Sequence, residues 1–382
     1  MIYIKCSKLF GPRGQIEDAA ILLDGAKIIA TSAASSLPQP AGSKLVDAHG
    51  LIAAPGYIDW QLNGGFGLDF TENPGSIWDV AAKLPAHGVT AFLPTIITAP
   101  MEVYKAAQDI LKAGPPKDFR GAKPLGLHFE GPYLNPGKKG AHNPKHLRNP
   151  ATGETQKWSR KNGVWLVTLA PELPGALDLI RSLGNKKVIV SAGHSLANFE
   201  QALDGFKAGV RAATHLFNAM PALDHRAPGL IAACLQEGKI SIGLIPDGIH
   251  VHPAMVNLAW RHQGPQRMAI VTDAMSALGM PAGNYGLGDF EVRVDKVSAR
   301  LKDGTLAGSI LRMDQAVRNL MLFSGCRLAQ AINSASLNVA RLINVPQKGR
   351  LQPGSDADIN LLDEHGNLAA SFANGELVFS RL

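Results

Sequence analysis

Eight times between residues 57 and 273 an apolar, β-branched run is followed by a stretch with helical spacing, and this alternation constrains the fold more than any other feature. The runs span 57–63, 89–97, 124–130, 164–170, 188–194, 210–215, 240–245 and 268–273. The stretches 77–86, 101–113, 145–160, 175–183, 198–208, 230–237, 253–261 and 309–323 are expected to be helices. Continuous apolar strands alternating with helices imply a parallel sheet covered by helices. Eight such units point to α/β architecture closed as a (β/α)8 TIM-like barrel, with a doubly wound open sheet as the alternative. The run ends favour the barrel. Asn63, Glu130, His194, His215 and Asp273 all close runs, and a barrel brings the C-terminal ends of different strands to one place. An open sheet would spread them along a line. Segment 283–304 interrupts the last unit and reads as a β-hairpin insertion.

Both chain ends read differently. Short strands are expected at 3–5, 20–23, 27–30, 44–47, 358–362 and 377–380, punctuated by Gly-Pro, Asp-Gly and His-Gly pairs. Neither end has enough strands to bury a face alone. The expectation is one small β-sandwich domain built from residues 1–54 and 346–382, beside a barrel domain over 55–345.

Charge bounds the partners. A formal net charge of +7 favours anions. Nucleic acid fits poorly, because the basic pairs Lys138-Lys139 and Lys186-Lys187 are short and aromatics are few. A small phosphorylated molecule fits at least as well. Cys6, Cys234 and Cys326 have no CxxC spacing, which argues against disulfides and thiolate metal sites. With no signal-like apolar segment and no run of membrane-spanning length, the expectation is a cytoplasmic protein without membrane association.

The chemistry sits at the strand ends. In LHFEGP, Glu130 closes a strand and faces the barrel mouth; a buried ion pair is its bland alternative. His194 in VIVSAGHS and His215 in AATHLFNAM close two consecutive strands. Alone, each would read as a structural histidine. Together with Glu130 they make a His₂Glu set that suits catalytic zinc. Asp273 in AIVTDAM could exchange a proton with a metal-activated water, or simply cap the next helix. Many metal hydrolases on this barrel carry His-x-His on the first strand. Here IDWQLNGG puts Gln61 and Asn63 there, a possible vestige of a second metal position, and a single ion is expected. His128 should share a face with Glu130 and is read as support. Trp60 has no account from sequence.

The segments PGYIDWQLNG, HFEGPYLNPGKKGAHN, SAGHS, THLFNAM, RAPGL, PDGIHVHP, VTDAM and GTLAGS resemble the N-acetylglucosamine-6-phosphate deacetylase family of the amidohydrolase superfamily. The resemblance runs from about Pro55 to Gly308 and continues in GRLQPGSDADINLLD. It implies hydrolysis of N-acetyl-D-glucosamine 6-phosphate to D-glucosamine 6-phosphate and acetate. Glu130, His194 and His215 match the family's metal ligands, with zinc the default and iron, cobalt or manganese able to replace it. Asp273 matches the acid/base and His142 the histidine that polarises the acetyl carbonyl. Ala141, Asn218, Ala219, the segment Asp247, Gly248, Ile249 and His250, and the loop Leu306, Ala307 and Gly308 match substrate-contacting positions. Arg226 matches a phosphate-binding arginine supplied across a homodimer interface. Read without the family, His142 is a loop histidine, Asn218 a helix cap, Arg226 a surface ion pair and His250 a surface residue. Two other functions stay open: an amidohydrolase for another N-acyl amino sugar or amide, and a non-catalytic sugar-phosphate-binding regulator.

Overall fold

The computed structural model describes residues 1–11 and 14–382. Four strands open the chain: β1 (Ile2–Gly11), β2 (Gly14–Asp24), β3 (Lys27–Ala33) and β4 (Lys44–Pro55). The expected Gly11-Pro12 turn lies partly outside the described residues. Eight strands follow, one for each apolar run: β5 (Tyr57–Leu62), β6 (Val89–Ile97), β7 (Leu127–Glu130), β8 (Val164–Leu169), β9 (Ile189–Ala192), β10 (Val210–Ala213), β11 (Ser241–Leu244) and β12 (Met268–Ile270). They pair in parallel with their chain neighbours. The ring closes where β5 meets the residues after β12. Leu62 bridges Ala274, Asp273 N donates to Gln61 O at 2.9 Å, and Asn63 N donates to Ala274 O at 2.8 Å. These bonds exclude the open sheet.

Helices α1 (Ile77–Lys83), α2 (Met101–Ala113), α3 (Ala176–Asn185), α4 (Phe199–Ala208), α5 (Gly229–Gln236), α6 (Pro253–Arg267) and α7 (Met313–Ser324) clothe the barrel, and α8 (Leu328–Ser334) and α9 (Leu337–Leu342) follow it. α4 shows why its boundary was readable: Asn198 and Gln201 form a reciprocal capping box at its start. The expected helix over 145–160 does not form. That stretch is loop between short 3₁₀ turns at Pro144–His146 and Arg160–Asn162. Pro150 and Gly153 break helical continuity, and buried Thr155 and Trp158 anchor the loop. The insertion is three-stranded: β13 (Gly283–Leu287), β14 (Phe290–Val294) and β15 (Ala299–Arg300).

The chain ends with β16 (Ile359–Leu362), β17 (Leu368–Ala373) and β18 (Glu376–Ser380). Strands from both ends pair in one sheet of order β18-β17-β16-β4-β1-β2-β3. Ile4, Ile21, Ile28, Ile359 and Phe372 share one apolar cluster, so the sheet curls around its own core. Trp60 acquires its account here. Its fully buried ring occupies space that Gly243 leaves open, where an added Cβ would lie 2.8 Å from the ring. Among the described residues no helix is long and apolar enough to cross a membrane.

Candidate metal centre and active site

A polar chain crosses the barrel beneath its mouth. His128 Nδ1 meets Thr95 Oγ1 at 3.1 Å and its Nε2 meets Thr168 Oγ1 at 2.8 Å. Thr168 continues to Thr214 and Thr214 to Ser191. Both nitrogens of His128 are thereby occupied, and its role is support. Burial lowers its pKa to about 4, so it stays neutral within this chain of hydroxyls.

Above this layer Glu130, His194 and His215 converge. His194 Nε2 and His215 Nε2 are 3.1 Å apart, and they lie 3.3 and 3.1 Å from Glu130 Oε1. All three residues are buried. His194 Nδ1 sits 2.8 Å from the Lys138 carbonyl. A carbonyl only accepts, so Nδ1 carries the proton and Nε2 presents a lone pair. Two imidazole nitrogens and a carboxylate oxygen facing one another call for a cation among them. In a tetrahedral site with bonds of 2.0–2.1 Å, ligand atoms stand about 3.3–3.4 Å apart, and the triangle here is close to that. The residues therefore fit a divalent ion without rearrangement. Burial alone would push the Glu130 carboxyl up, but hydrogen bonds and positive charge from the two imidazoles, when they carry protons in place of a metal ion, hold it well below the usual carboxylate range.

The backbone explains how strand ends deliver these groups. His194, His215 and Asp273 have φ of 48°, 29° and 49°. Left-handed conformation is unfavourable for a side chain with a Cβ and recurs at working sites. Gly140 completes the cradle at φ 54°, where a Cβ would come within 3.3 Å of His194 Cε1.

Asp273, His142 and His250 share the cavity of about 600 Å³ with the triad. Burial first, then Glu130's charge, raise Asp273 to about 6. His142 Nδ1 accepts from Thr98 N at 3.3 Å and contacts Thr98 Oγ1 at 2.9 Å. Its proton is therefore on Nε2, 3.9 Å from Glu130 Oε2. Burial and neighbouring His194 lower its pKa to about 3, so it is a neutral donor at pH 7. His250 Nδ1 lies 2.6 Å from Asp247 Oδ2. Asp247 Oδ1 accepts from Ile249 N and His250 N.

Ala141, Asn218, Ala219, Leu306 and Gly308 also line the cavity. Asn218 Nδ2 donates to His215 O at 3.1 Å and caps no helix. Other expected residues lie elsewhere. Asp247 and Ile249 stand behind His250 and line an adjacent cavity with Gly248 between them. Ala307 is buried in the cluster of the β13–β15 insertion. Arg226 is exposed on a loop outside the cavity; its backbone N–H donates to Asp224 Oδ1 at 2.7 Å, and its guanidinium has no carboxylate within 4.0 Å among the described residues. Gln61 and Asn63 are buried and bonded to Glu130 and Asp273, and Asn63 lines the main cavity itself. Lys139, Arg300 and Thr305 line the cavity without having been expected there. Lys139 had shown only as half of a basic pair, and nothing local marks Arg300 or Thr305.

The sequence profile described as the amidohydrolase family matches residues 52–378. The chain belongs to the amidohydrolase family. A human relative of this amidohydrolase, named N-acetylglucosamine-6-phosphate deacetylase, is 42% identical, covering 87% of this chain and 85% of its own length. A relative from Escherichia coli O157:H7, named N-acetylgalactosamine-6-phosphate deacetylase, is 37% identical over 85% of this chain and 87% of its own. The solved structure of an N-acetyl-D-glucosamine-6-phosphate deacetylase mutant from Mycobacterium smegmatis, in complex with N-acetyl-D-glucosamine-6-phosphate, superposes with TM-score 0.90 at 30% identity and covers 99% of each chain. The amidohydrolase therefore shares its architecture with deacetylases along its whole length.

Proposed function

We propose that the protein hydrolyses N-acetyl-D-glucosamine 6-phosphate to D-glucosamine 6-phosphate and acetate, a reaction of amino sugar metabolism. One observation carries this reading: a ready-made ligand triangle shares one cavity with a carboxylate and a neutral histidine donor, in a chain similar to deacetylases of that name throughout. Asp273 makes the regulator reading a poor fit, since binding alone has no use for a buried carboxylate beside a metal site.

Glu130, His194 and His215 would hold one ion, which supplies acidity to a water and withdraws electrons from the acetyl carbonyl. The His₂Glu donor set suits zinc best, while iron, cobalt or manganese would also be accepted. Asp273 takes the proton of the attacking water and returns it to the departing amine. His142 Nε2–H donates to the carbonyl oxygen as negative charge develops there. His250 is oriented by Asp247 and keeps Nε2 free to accept from a sugar hydroxyl, with the Asn218–Ala219 backbone beside it. Lys139 and Arg300 add positive potential at the rim, which favours an anionic substrate. Arg226 is assigned to the phosphate of a neighbouring subunit in a homodimer. Its support is an exposed guanidinium without an ion pair, whose planar fork suits phosphate.

Acetate release from N-acetylglucosamine 6-phosphate, with metal analysis of the same sample, tests the reading. The expected result is turnover with one divalent ion per subunit and little turnover of unphosphorylated N-acetylglucosamine. Equal rates on both sugars would overturn the phosphate assignment. The 4-epimeric N-acetylgalactosamine 6-phosphate belongs in the same assay, because a 37% identical relative carries that name.

A further inference from the structure

Strand β5 runs into two buried amides, Gln61 and Asn63. Gln61 Nε2 donates to Glu130 Oε1 at 3.0 Å, the same oxygen that faces both histidines. Asn63 Nδ2 donates to Asp273 Oδ1 at 2.8 Å. The reverse amide orientation would set oxygen against carboxylate oxygen, so the N–H groups face the acids. Each amide meanwhile leaves its own carbonyl oxygen, Gln61 Oε1 and Asn63 Oδ1, buried and without a partner among the described residues. A buried polar atom without a hydrogen bond is unfavourable. Packing alone would be better served by apolar side chains of similar shape. What each amide provides is one N–H aimed at a working carboxylate.

Barrel closure makes the arrangement stiff. Asp273 N is held by Gln61 O, and Asp273 O accepts from Ser309 N at 2.8 Å. Thr272 Oγ1 donates to Asp59 Oδ2 at 2.5 Å, tying β5 to the segment after β12 a second time. Asp273 is thus fixed through its main chain and through Oδ1. Its Oδ2 makes no hydrogen bond among the described residues and is not among the occluded atoms, and Asp273 lines the cavity.

We propose that Gln61 and Asn63 are positioning residues: Gln61 fixes Glu130 as a metal ligand, and Asn63 fixes Asp273 so that Oδ2 is its one proton-exchanging oxygen. The Asn63 half rests on the deacetylase reading; the Gln61 half needs only the metal site. The titratable groups facing Asp273 are Glu130 at the end of β7, His215 after β10, His250 after β11 and Asp59 on β5. Removing the Asn63 N–H leaves those charges in place and removes a donor that favours the carboxylate.

Three variants of the metal-loaded protein test this. Gln61→Met should release metal to a chelator at about 10–100-fold lower concentration, with KM unchanged once metal is saturating. Asn63→Leu should lower kcat about 10–100-fold with native metal content and KM, and should move the acid limb of the kcat/KM profile to higher pH. Asn63→Asp, nearly isosteric, should move that limb further up through repulsion, and it reads the same effect if the leucine variant does not fold. Native metal retention in Gln61→Met overturns the proposal. So does native kcat, or loss of metal, in Asn63→Leu. A native protein that releases no acetate overturns the function itself, whereas an active native protein with fully active Asn63→Leu overturns the inference alone.

Discussion

As the proposed acid/base, Asp273 carries two demands that conflict. Its carboxyl has to be ionised to accept a proton, yet burial and the Glu130 charge raise it to about 6. Activity is therefore expected to rise with pH through about 6. The sign for stability is opposite. The folded-state pKa lies above the usual 3.8, so the fold favours the protonated form, and stability contributed at low pH is lost as pH rises through about 6. In metal-free protein, Asp273→Asn should be inactive after metal is restored but more stable than the native chain at pH 7, by up to about 3 kcal/mol. The gap in Tm should close towards pH 4, where the native carboxyl is protonated as well. A variant that melts lower than native at pH 7 would contradict the assignment of burial as the cause. The same residue shows how far sequence could go. A carboxylate closing an apolar run was visible, but its surroundings were not, because they are set by the meeting of β5 with the residues after β12, which brings Asn63 to Asp273 at the cavity.

Elements divide by how local their causes are. The eight barrel strands were legible because each is a β-branched apolar run ended by polar or small residues. α4 was legible because its cap is spelled in adjacent residues. The long loop after β7 was not, since its charged, proline-containing stretch imitates a helix until Pro150 and Gly153 are weighed against Trp158, whose burial is decided by distant Tyr104 and Phe129. That loop carries much of the site: the Lys138 carbonyl sets the His194 tautomer, Gly140 lets the chain pass the ring, and His142 enters from it. The insertion β13–β15 brings Arg300 to the rim with no local signal at all. Gly140 makes the loop's contribution measurable. Gly140→Ala forces a Cβ into left-handed backbone at an expected cost of about 1–2 kcal/mol, and presses it towards the His194 ring. It should lower Tm and speed metal loss to a chelator, while Gly114→Ala, also strained at φ 84° but with nothing within 4 Å of its added Cβ, should lower Tm without metal loss. Equal metal retention in both variants would separate the loop from the metal centre.

At the scale of the molecule the cavity gathers the proposed chemistry but not every residue the family resemblance implies, and Arg226 is one that lies outside it. It stands on an exposed loop outside the cavity of its own chain. If it serves a neighbouring subunit, then a site needs Asp273 from one chain and Arg226 from the other, and the two defects must complement. Arg226→Ala alone is expected to raise KM for the phosphorylated sugar far more than it lowers kcat, because a phosphate contact remote from the acetyl group binds ground and transition states alike. Mixed with Asp273→Asn protein in equal amounts and allowed to exchange subunits, each heterodimer of a C2 pair contains one site with both defects and one with neither. Random exchange makes half the dimers mixed, so activity should recover to about a quarter of the native level. Arg226 acting within its own chain would give no recovery, since every site would keep one defect.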